Sequence, residues 1–490
     1  MSSDNNYEKI LDPVKKKLRP KPEEEKKVNL FITNLVEVLS TIDLGVKFKI
    51  KVVGSIAKGT WLSNDHDIDI FLLFPPNKVE EFPKIVFNLK EIVPKELQKK
   101  GIIAKPEKKH ANYPYLFLRS DNLSIDIVPA VDTELVPEEQ KKILTPVDRT
   151  PLHTQYVKKE IEKKPELADE IRLLKKFLKT IGTYGSEVKI RGFSGYLCEL
   201  FVINLGSFIN VLKWFSETMF PTVFLPNDVE EPEKKDYDKW KGQPLIFPDP
   251  TDKHRNVASV VTLENLLYTK LGAKLFLHRP FTFFFNRIPI KKDLHELLSK
   301  EKENSFLVLI ELKGINEDII WSQLWRNSKK MKNFLKESYF DNPRIIPVEI
   351  IPEKKYGFLV FTPEKESKRF SEERSLPLAE DNIAQILERM KKLERSYGPL
   401  IIENKLVYFE KKEKKKLSEG LKEFISSHRF KWSKSVKSSI KKEPVFVNLN
   451  VVFKNYDTLY EFNWKVEEII TGKKPWLRAW EEEVQKKELK

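Results

Sequence analysis

Apolar and polar positions along the chain alternate between helical and strand periods. Residues 7 to 42 carry helical spacing: Tyr7-Glu-Lys-Ile-Leu, a Lys/Pro/Glu-rich bridge, then a run from Val28 to Leu39. Three strand-like runs follow, at Phe48 to Val53, Asp67 to Phe74 and Ser124 to Pro129. The second alternates and then turns fully apolar before Pro75-Pro76. Helices between such strands predict an α/β or α+β unit ending near Asp148. Leu167 to Leu178 reads as a helix, and a Gly-punctuated stretch spans Thr180 to Gly195. Tyr196 to Trp214 reads as one longer apolar helix. Residues 220 to 256 are Pro-rich and loop-like, and 257 to 271 read as helix. A new unit is expected near Phe276. In it, Ser305 to Leu312 and Gly357 to Phe361 are expected strands, with a helix rich in Trp, Lys and Arg from Asn316 to Tyr339. A Ser/Glu/Lys/Arg linker is expected from Pro363 to Arg374. An amphipathic helix from Asp381 to Arg395 then ends at Gly398-Pro399. Two strands, Leu400 to Ile402 and Lys405 to Phe409, straddle Glu403-Asn404. No internal repeat is evident.

Composition narrows the function classes. The 490 residues carry 88 Lys plus Arg against 73 Asp plus Glu, a net charge of +15. That balance favours a polyanionic partner, nucleic acid or an acidic membrane surface. With 40% hydrophobic residues and 32 Phe, global disorder is excluded. The one cysteine, Cys198, excludes an internal disulfide and any Cys-based zinc cluster. On its apolar run it reads as a core thiol. His66, His110 and His254 lack metal-ligand spacing. MSSDNNYEKI lacks the apolar core of a signal peptide, and no apolar run approaches the roughly 20 residues of a membrane span. The expectation is a soluble, cytoplasmic, multidomain protein without a membrane partner.

The chemistry concentrates between Val53 and Phe71. Asp67 and Asp69 are two apart on a strand, so both carboxylates leave one face. Two such acids repel unless a cation sits between them. Magnesium, which takes oxygen ligands and couples a site to phosphates, fits. Asp126, in Ser-Ile-Asp-Ile-Val, is the candidate third acid of a two-metal site for in-line displacement. Asp65 shares the alternation, but the acids preceding Ile68 and Ile70 fit it better. Gly54-Ser55 lies just after a strand, where glycine lets a phosphate approach the backbone. The competing reading, a solvated edge-strand face, fits poorly with the fully apolar end of the same strand.

Gly-Ser followed by Asp-Ile-Asp-Ile resembles the nucleotidyltransferase superfamily of DNA polymerase beta and poly(A) polymerase. Val147-Asp-Arg-Thr-Pro-Leu-His, Arg172-Leu-Leu-Lys-Lys-Phe-Leu-Lys, Lys189-Ile-Arg-Gly-Phe-Ser-Gly-Tyr-Leu-Cys-Glu-Leu and Asp249-Pro-Thr-Asp-Lys-His-Arg-Asn-Val-Ala narrow it. Together they resemble the archaeal, class I CCA-adding enzymes, from about Leu30 to about Lys474. The resemblance implies an α+β multidomain fold. A mixed-sheet catalytic head spans 1–150 and a helical neck 151–272. An α/β body spans 273–365, and a basic tail spans 366–490 with a return to the body near the C-terminus. It implies template-independent addition of C, C and A to a tRNA 3′ end from CTP and ATP, with Mg2+ on Asp67, Asp69 and Asp126. It assigns Gly54, Ser55, Lys58, Thr150, His153, Lys175, Tyr184 and Arg255 to the nucleotide. Lys58 stands where the family pattern has Arg, and Ile56 where it has an aromatic. Lys keeps the charge and loses the bidentate fork.

A template-free polymerase must choose its base with protein groups and RNA backbone. The guanidinium of Arg255 offers donors in a fixed plane that suit acceptors on cytosine and adenine. Gly192 and Gly195 suit close packing on the neck. Arg326, Lys329 and Lys330 on the basic helix, and Arg429 and Lys431 in an aromatic-cation interleave, are candidate RNA contacts. A solvated charged face is the alternative for both. Partners implied are tRNA, CTP and ATP, and a homodimer is allowed. Two rival readings remain: another RNA 3′-terminal nucleotidyltransferase of poly(A) polymerase type, and a non-catalytic RNA-binding module.

Overall fold

The computed structural model describes residues 4–107, 114–136, 145, 147–312, 315–338, 340–350, 355–364, 366, 370–377, 396–402, 405–411, 414–440, 442–456 and 459–488. Side chains of 4–6, 338, 370–377, 396–402, 405–411 and 454–456 are not described. The chain forms two compact units, residues 1–288 with 479–490, and 289–478.

The first unit opens with helices α1 (Asp4–Leu18) and α2 (Pro22–Thr41). Next come strand β1 (Lys49–Val53), the single turn α3 (Gly54–Ala57) and β2 (Asp67–Phe74). Helix α4 (Phe82–Lys99) leads to β3 (Lys105–Glu107), β4 (Leu116–Ser120) and β5 (Leu123–Val131). The strands form a five-stranded mixed sheet in the order β1-β2-β5-β4-β3, with β2 and β5 parallel. Val28, Phe31, Leu35 and Val38 of α2 recur at helical spacing, as do Phe82, Ile85, Leu89 and Val93 of α4. Both stripes bury against Ile68, Ile70, Leu72 and Phe74 of β2 and Ile125 and Ile127 of β5. Each such side chain contributes about 1.5–3 kcal/mol on burial. One face of the sheet is thus committed to the core, which leaves the other for chemistry.

Helices α5 (Thr150–Lys163) and α6 (Leu167–Ile181) follow. The apolar stretch predicted as one helix from Tyr196 to Trp214 is two, α7 (Gly195–Leu205) and α8 (Phe208–Glu217), bent by 95°. Gly206 takes φ +82 and Ser207 caps the second helix by accepting from Asn210 N–H. A left-handed glycine followed by an N-cap serine ends one helix and starts the next. No single described helix is long and apolar enough to cross a membrane.

Within the Pro-rich stretch lie β6 (Thr222–Val223), α9 (Lys234–Lys239), β7 (Leu245–Ile246), β8 (Pro248–Asp249) and β9 (Asp252–Asn256). Helix α10 (Leu263–His278) starts later than residue 257, because Thr262 is its N-cap, and it runs past 271. Phe177 of α6 packs against Phe208, Phe276 and Phe284 at 5.7, 6.0 and 5.3 Å between centroids. This aromatic cluster fixes α6 in place.

The second unit contains α11 (Leu294–Lys300), β10 (Ser305–Ile310), α12 (Glu317–Ser338), β11 (Arg344–Ile350) and β12 (Lys355–Phe361). An antiparallel sheet joins β11, β12, β10 and the strand Val445–Asn448 in that order. The stretch read as linker from 363 holds a strand, Phe370–Pro377, which pairs with Lys405–Lys411 across a bulge. The strands expected around 400–402 and 405–409 are present as Ser396–Ile402 and Lys405–Lys411. The helix expected from Asp381 to Arg395 lies outside the described residues.

Candidate active site

Strand register decides which acids meet. Asp69 stands opposite Asp126 and Asp67 opposite Ser124 in the parallel β2/β5 pair. Opposed residues share a face, so Asp67, Asp69 and Asp126 all project from the side away from the α2/α4 core. Asp67 is exposed, and Asp69 and Asp126 are half-buried. Farther along, the same face turns apolar, with Phe71 and Leu73 packed with Val53 and Ala130. The backbone of Gly54, at φ +74, lies against the Asp69 carboxylate, and a Cβ there would collide with it. Only glycine meets both demands.

Three carboxylates without nitrogen or sulfur form a donor set for a hard divalent cation. Among the described residues, no group of three His, Cys, Asp or Glu side chains is drawn close enough to hold a metal ion as it stands. Like charges on one face repel, so their convergence requires the counter-charge. The donor chemistry fits a divalent metal.

The loop from Lys58 to His66, which joins α3 to the acid-bearing strand, is held from two sides. Arg172, Lys175 and Lys179 lie on one face of α6 at three- and four-residue steps. Arg172 Nε donates to the Trp61 carbonyl at 2.9 Å and Nη2 to that of Gly59 at 2.5 Å. Lys175 Nζ donates to Thr60 Oγ1 at 3.0 Å, and Lys179 pairs with Asp65. From α2, Glu24 accepts from Ser63 Oγ, Asn64 N–H and His66. Burial works to raise the Glu24 pKa, but these hydrogen bonds and one from Lys21 N–H hold it at about 2.

Lys58 and Lys175 converge on one acid, Glu199 of α7. Lys58 Nζ is 2.6 Å from Glu199 Oε2, and Lys175 Nζ is 2.9 Å from Oε1. Thr60 Oγ1 donates to Oε1 at 2.7 Å. The Glu199 and Lys175 side chains are 0% and 3% exposed, and Lys58 is 8%. Burial opposes ionisation of Glu199, but the two lysines outweigh it and keep its pKa at about 2. Burial pushes Lys175 down while Glu199 pulls it back up. Tyr184, half-buried nearby, is pushed well above its ordinary value by desolvation and then by Cys198, Glu199, Asp65 and Asp67. A Cβ on Gly195 would lie 3.0 Å from its hydroxyl, and one on Gly192 would collide with the Thr183 carbonyl. Both glycines therefore serve close packing, as expected. Burial pushes the Cys198 thiol up to about 12, in keeping with a core thiol.

His153 and Arg255 converge on a second buried acid, Asp249. His153 Nε2 donates to Oδ2 at 2.9 Å, and Arg255 Nη1 donates to the same oxygen at 2.7 Å. Tyr196 Oη and Thr251 donate to Oδ1. Burial alone would raise the Asp249 pKa; His153, Thr251 and Arg255 drive it below the ordinary carboxylate range. Burial lowers the His153 pKa, with Arg255 and Lys58 adding to that against the pull of Asp249. Tyr196 stacks on His153 at 4.0 Å and lies 6.0 Å from Lys58 Nζ, which links the two clusters. Thr150 opens α5, three residues before His153 on the same helix. Ser55 sits in α3, and its carbonyl accepts from Thr60 N–H at 2.9 Å.

In the second unit, Arg326 of α12 donates to the Lys431 carbonyl, and Asn327 brackets the same backbone from both sides. Arg429 is exposed and lies 4.5 Å over the Phe334 ring. Phe430 stacks between Phe358 and Trp432 at 5.8 and 5.5 Å. Lys329 is exposed and Lys330 half-buried on α12. The two sets of RNA candidates thus share one surface.

Sequence reasoning missed Glu199, Asp249, Tyr196 and Thr60. The signal for Glu199 was a lone acid inside an apolar helix, which has to be paired when buried. Asp249 opens a motif whose Arg255 drew the assignment instead.

Residues 32–118 match the family described as nucleotidyltransferase domain, and residues 169–286 match tRNA nucleotidyltransferase, second domain. A CCA-adding enzyme from Sulfurisphaera tokodaii is 36% identical over 328 residues, covering 66% of this chain and 71% of that one. The chain belongs to the CCA-adding enzyme family. It is a tRNA nucleotidyltransferase, and enzymes of this family use a divalent metal. The CCA-adding enzyme from Sulfolobus acidocaldarius is 39% identical over 305 residues, covering 62% of this chain and 66%, just under two thirds, of its own length. Among solved structures, the Cid1 poly(U) polymerase with 3′-dATP matches 58% of this chain and 99% of its own, at a TM-score of 0.45 and 16% identity.

Proposed function

We propose that this CCA-adding enzyme extends the tRNA 3′ end by C, C and A from CTP and ATP, with Mg2+ as its metal. The observation that carries this reading is the register of β2 on β5, which sets Asp69 opposite Asp126 with Asp67 on the same face. The terminal 3′-hydroxyl loses its proton to solvent as its oxygen attacks the α-phosphate, the new O3′–P bond forms, and the bond to the β,γ-pyrophosphate breaks. Asp67, Asp69 and Asp126 would hold the Mg2+, which would supply charge for the attacking and leaving oxygens. Gly54 and Ser55 give backbone approach to the triphosphate, and Lys58 and Lys175 its counter-charge. Thr150, His153 and Tyr184 line the nucleotide. Asp249 engages Nη1 of Arg255 and so fixes the guanidinium plane, whose other donors face acceptors on cytosine or adenine. Arg326, Lys329, Lys330, Arg429 and Lys431 track the RNA backbone. The division into head, neck, body and tail at 1–150, 151–272, 273–365 and 366–490 belongs to the same reading, as does a cytoplasmic location beside tRNA.

A primer-extension assay tests it, with a tRNA transcript ending at the discriminator base, magnesium, and NTPs singly and together. Growth by C, C and A followed by arrest is expected. Tailing without arrest would replace the substrate, and no incorporation with the tRNA still bound would leave a binding module.

A further inference from the structure

We propose that Glu199 is a positioning residue for the nucleotide triphosphate. It aims two lysine ammonium groups from separate elements and thereby sets the affinity common to CTP and ATP, without touching the base. This rests on the reading of Lys58 and Lys175 as triphosphate contacts.

Glu199 is flanked on α7 by Leu197, Cys198, Leu200, Phe201 and Val202, all buried. A carboxylate in that setting is costly unless its partners satisfy it. It has three donors, Lys58 Nζ, Lys175 Nζ and Thr60 Oγ1, all within 2.9 Å. They come from the turn after Ser55, from α6 and from the connecting loop. The charge does not balance: two ammonium groups face one carboxylate, and the neighbouring Cys198 and Tyr184 are held protonated by burial. A surplus buried cation is expensive in a medium of low dielectric until an anion completes it. Lys58 is four residues from Gly54, whose backbone lies against Asp69. The surplus charge is therefore tied to the turn that touches the catalytic strand, and a polyphosphate arriving there meets it. Asp249, by contrast, holds the groups that face the base, so the two functions are separable.

The test compares wild type with Glu199→Gln. CTP affinity is measured by calorimetry without RNA, and kcat and KM are measured for CTP and ATP on tRNA. Loss of a charge-assisted hydrogen-bond pair predicts a rise of about tenfold in Kd for CTP and in KM for both nucleotides. The expected kcat stays within about twofold, with rejection of UTP and GTP unchanged. A fall in kcat with KM unchanged would mean a structural role and would overturn the proposal, as would altered base choice. Should Glu199→Gln not fold, Thr60→Val removes one donor without changing charge, and a smaller rise in both KM values, about threefold, is expected. Unchanged KM in Thr60→Val would then overturn the proposal. Wild type that neither binds CTP nor extends tRNA would sink the triphosphate reading itself. Wild type that does both while the variants keep its KM would sink only the role of Glu199.

Discussion

Glu199 and Asp249 are both buried acids of the first unit, and they hold different kinds of partner. Glu199 gathers ammonium groups, compact charges that swivel on long stems. Asp249 gathers an imidazole, a guanidinium and a phenol, planar groups that a hydrogen bond orients. A triphosphate needs charge and tolerates any direction of approach, whereas a base edge needs donors in a fixed plane. On the proposed reading, counter-charge and base recognition are carried by separate clusters, joined where Tyr196 stacks on His153 and lies 6.0 Å from Lys58 Nζ.

On the proposed reading both clusters serve one set of acids. Asp126→Asn removes a charge from the face that Asp126 shares with Asp69 and leaves both clusters intact. Incorporation of C and of A is expected to fall together by about 10³-fold or more, the scale of losing a main electrostatic stabiliser of the transition state. CTP and tRNA binding, followed by calorimetry and gel shift, are expected to persist. Loss of A alone would break the shared-site picture.

Gly54→Ala comes next. The added Cβ meets the Asp69 carboxylate, and alanine is strained at φ +74. A drop of about 10²-fold is expected for both nucleotides, because the displaced acid serves each equally. A drop confined to one nucleotide would place Gly54 with the Asp249 cluster instead.

Arg255→Ala sharpens the contrast from the other side. Its guanidinium is the one planar cation on Asp249 that is still 30% exposed. Discrimination of CTP over UTP is expected to fall by about 10–100-fold, while the KM shift stays small. Competition assays with paired NTPs read this directly. Unchanged rejection of UTP and GTP would remove Arg255 from base choice.

How much of this was legible in the sequence depends on separation along the chain. Asp67 and Asp69 were legible because period-2 alternation is local, and β2 spans the expected residues. Asp126 was legible because it sits in the same alternation on a second strand. The break between α7 and α8 was written in Gly206-Ser207, a local signal masked by the apolar run on either side. The clusters around Glu199 and Asp249 were not legible, because the partners of Glu199 lie 24 to 141 residues from it and those of Asp249, Thr251 aside, lie 6 to 96. Nothing in spacing reveals that Lys58 and Lys175 share an acid. Only the packing of α6 on the loop from 58 to 66 brings them together.

The smallest effect concerns the loop that carries Lys58 and Thr60 of the Glu199 cluster and leads into the acid-bearing strand. Glu24 holds Ser63, Asn64 and His66 just before Asp67. Its pKa is depressed from 4.5 to about 2, so its contribution to stability is fully present above pH 4.5 and is lost as the pH falls through about 2. Glu24→Gln keeps the shape and loses the charge, at an expected cost of about 1 kcal/mol near neutral pH. For a unit of this size that lowers the melting temperature by about 2–4 °C. The gap between wild type and variant is expected to close as the pH is lowered from 4.5 toward 2, since wild-type Glu24 then becomes neutral as well. Nucleotide KM and base choice are expected to change together and by less than about twofold, because the loop is still clamped from α6. A gap that stayed constant with pH would show that the carboxylate charge contributes nothing there. Unequal changes for CTP and ATP would show that the loop frame belongs to one cluster rather than to both.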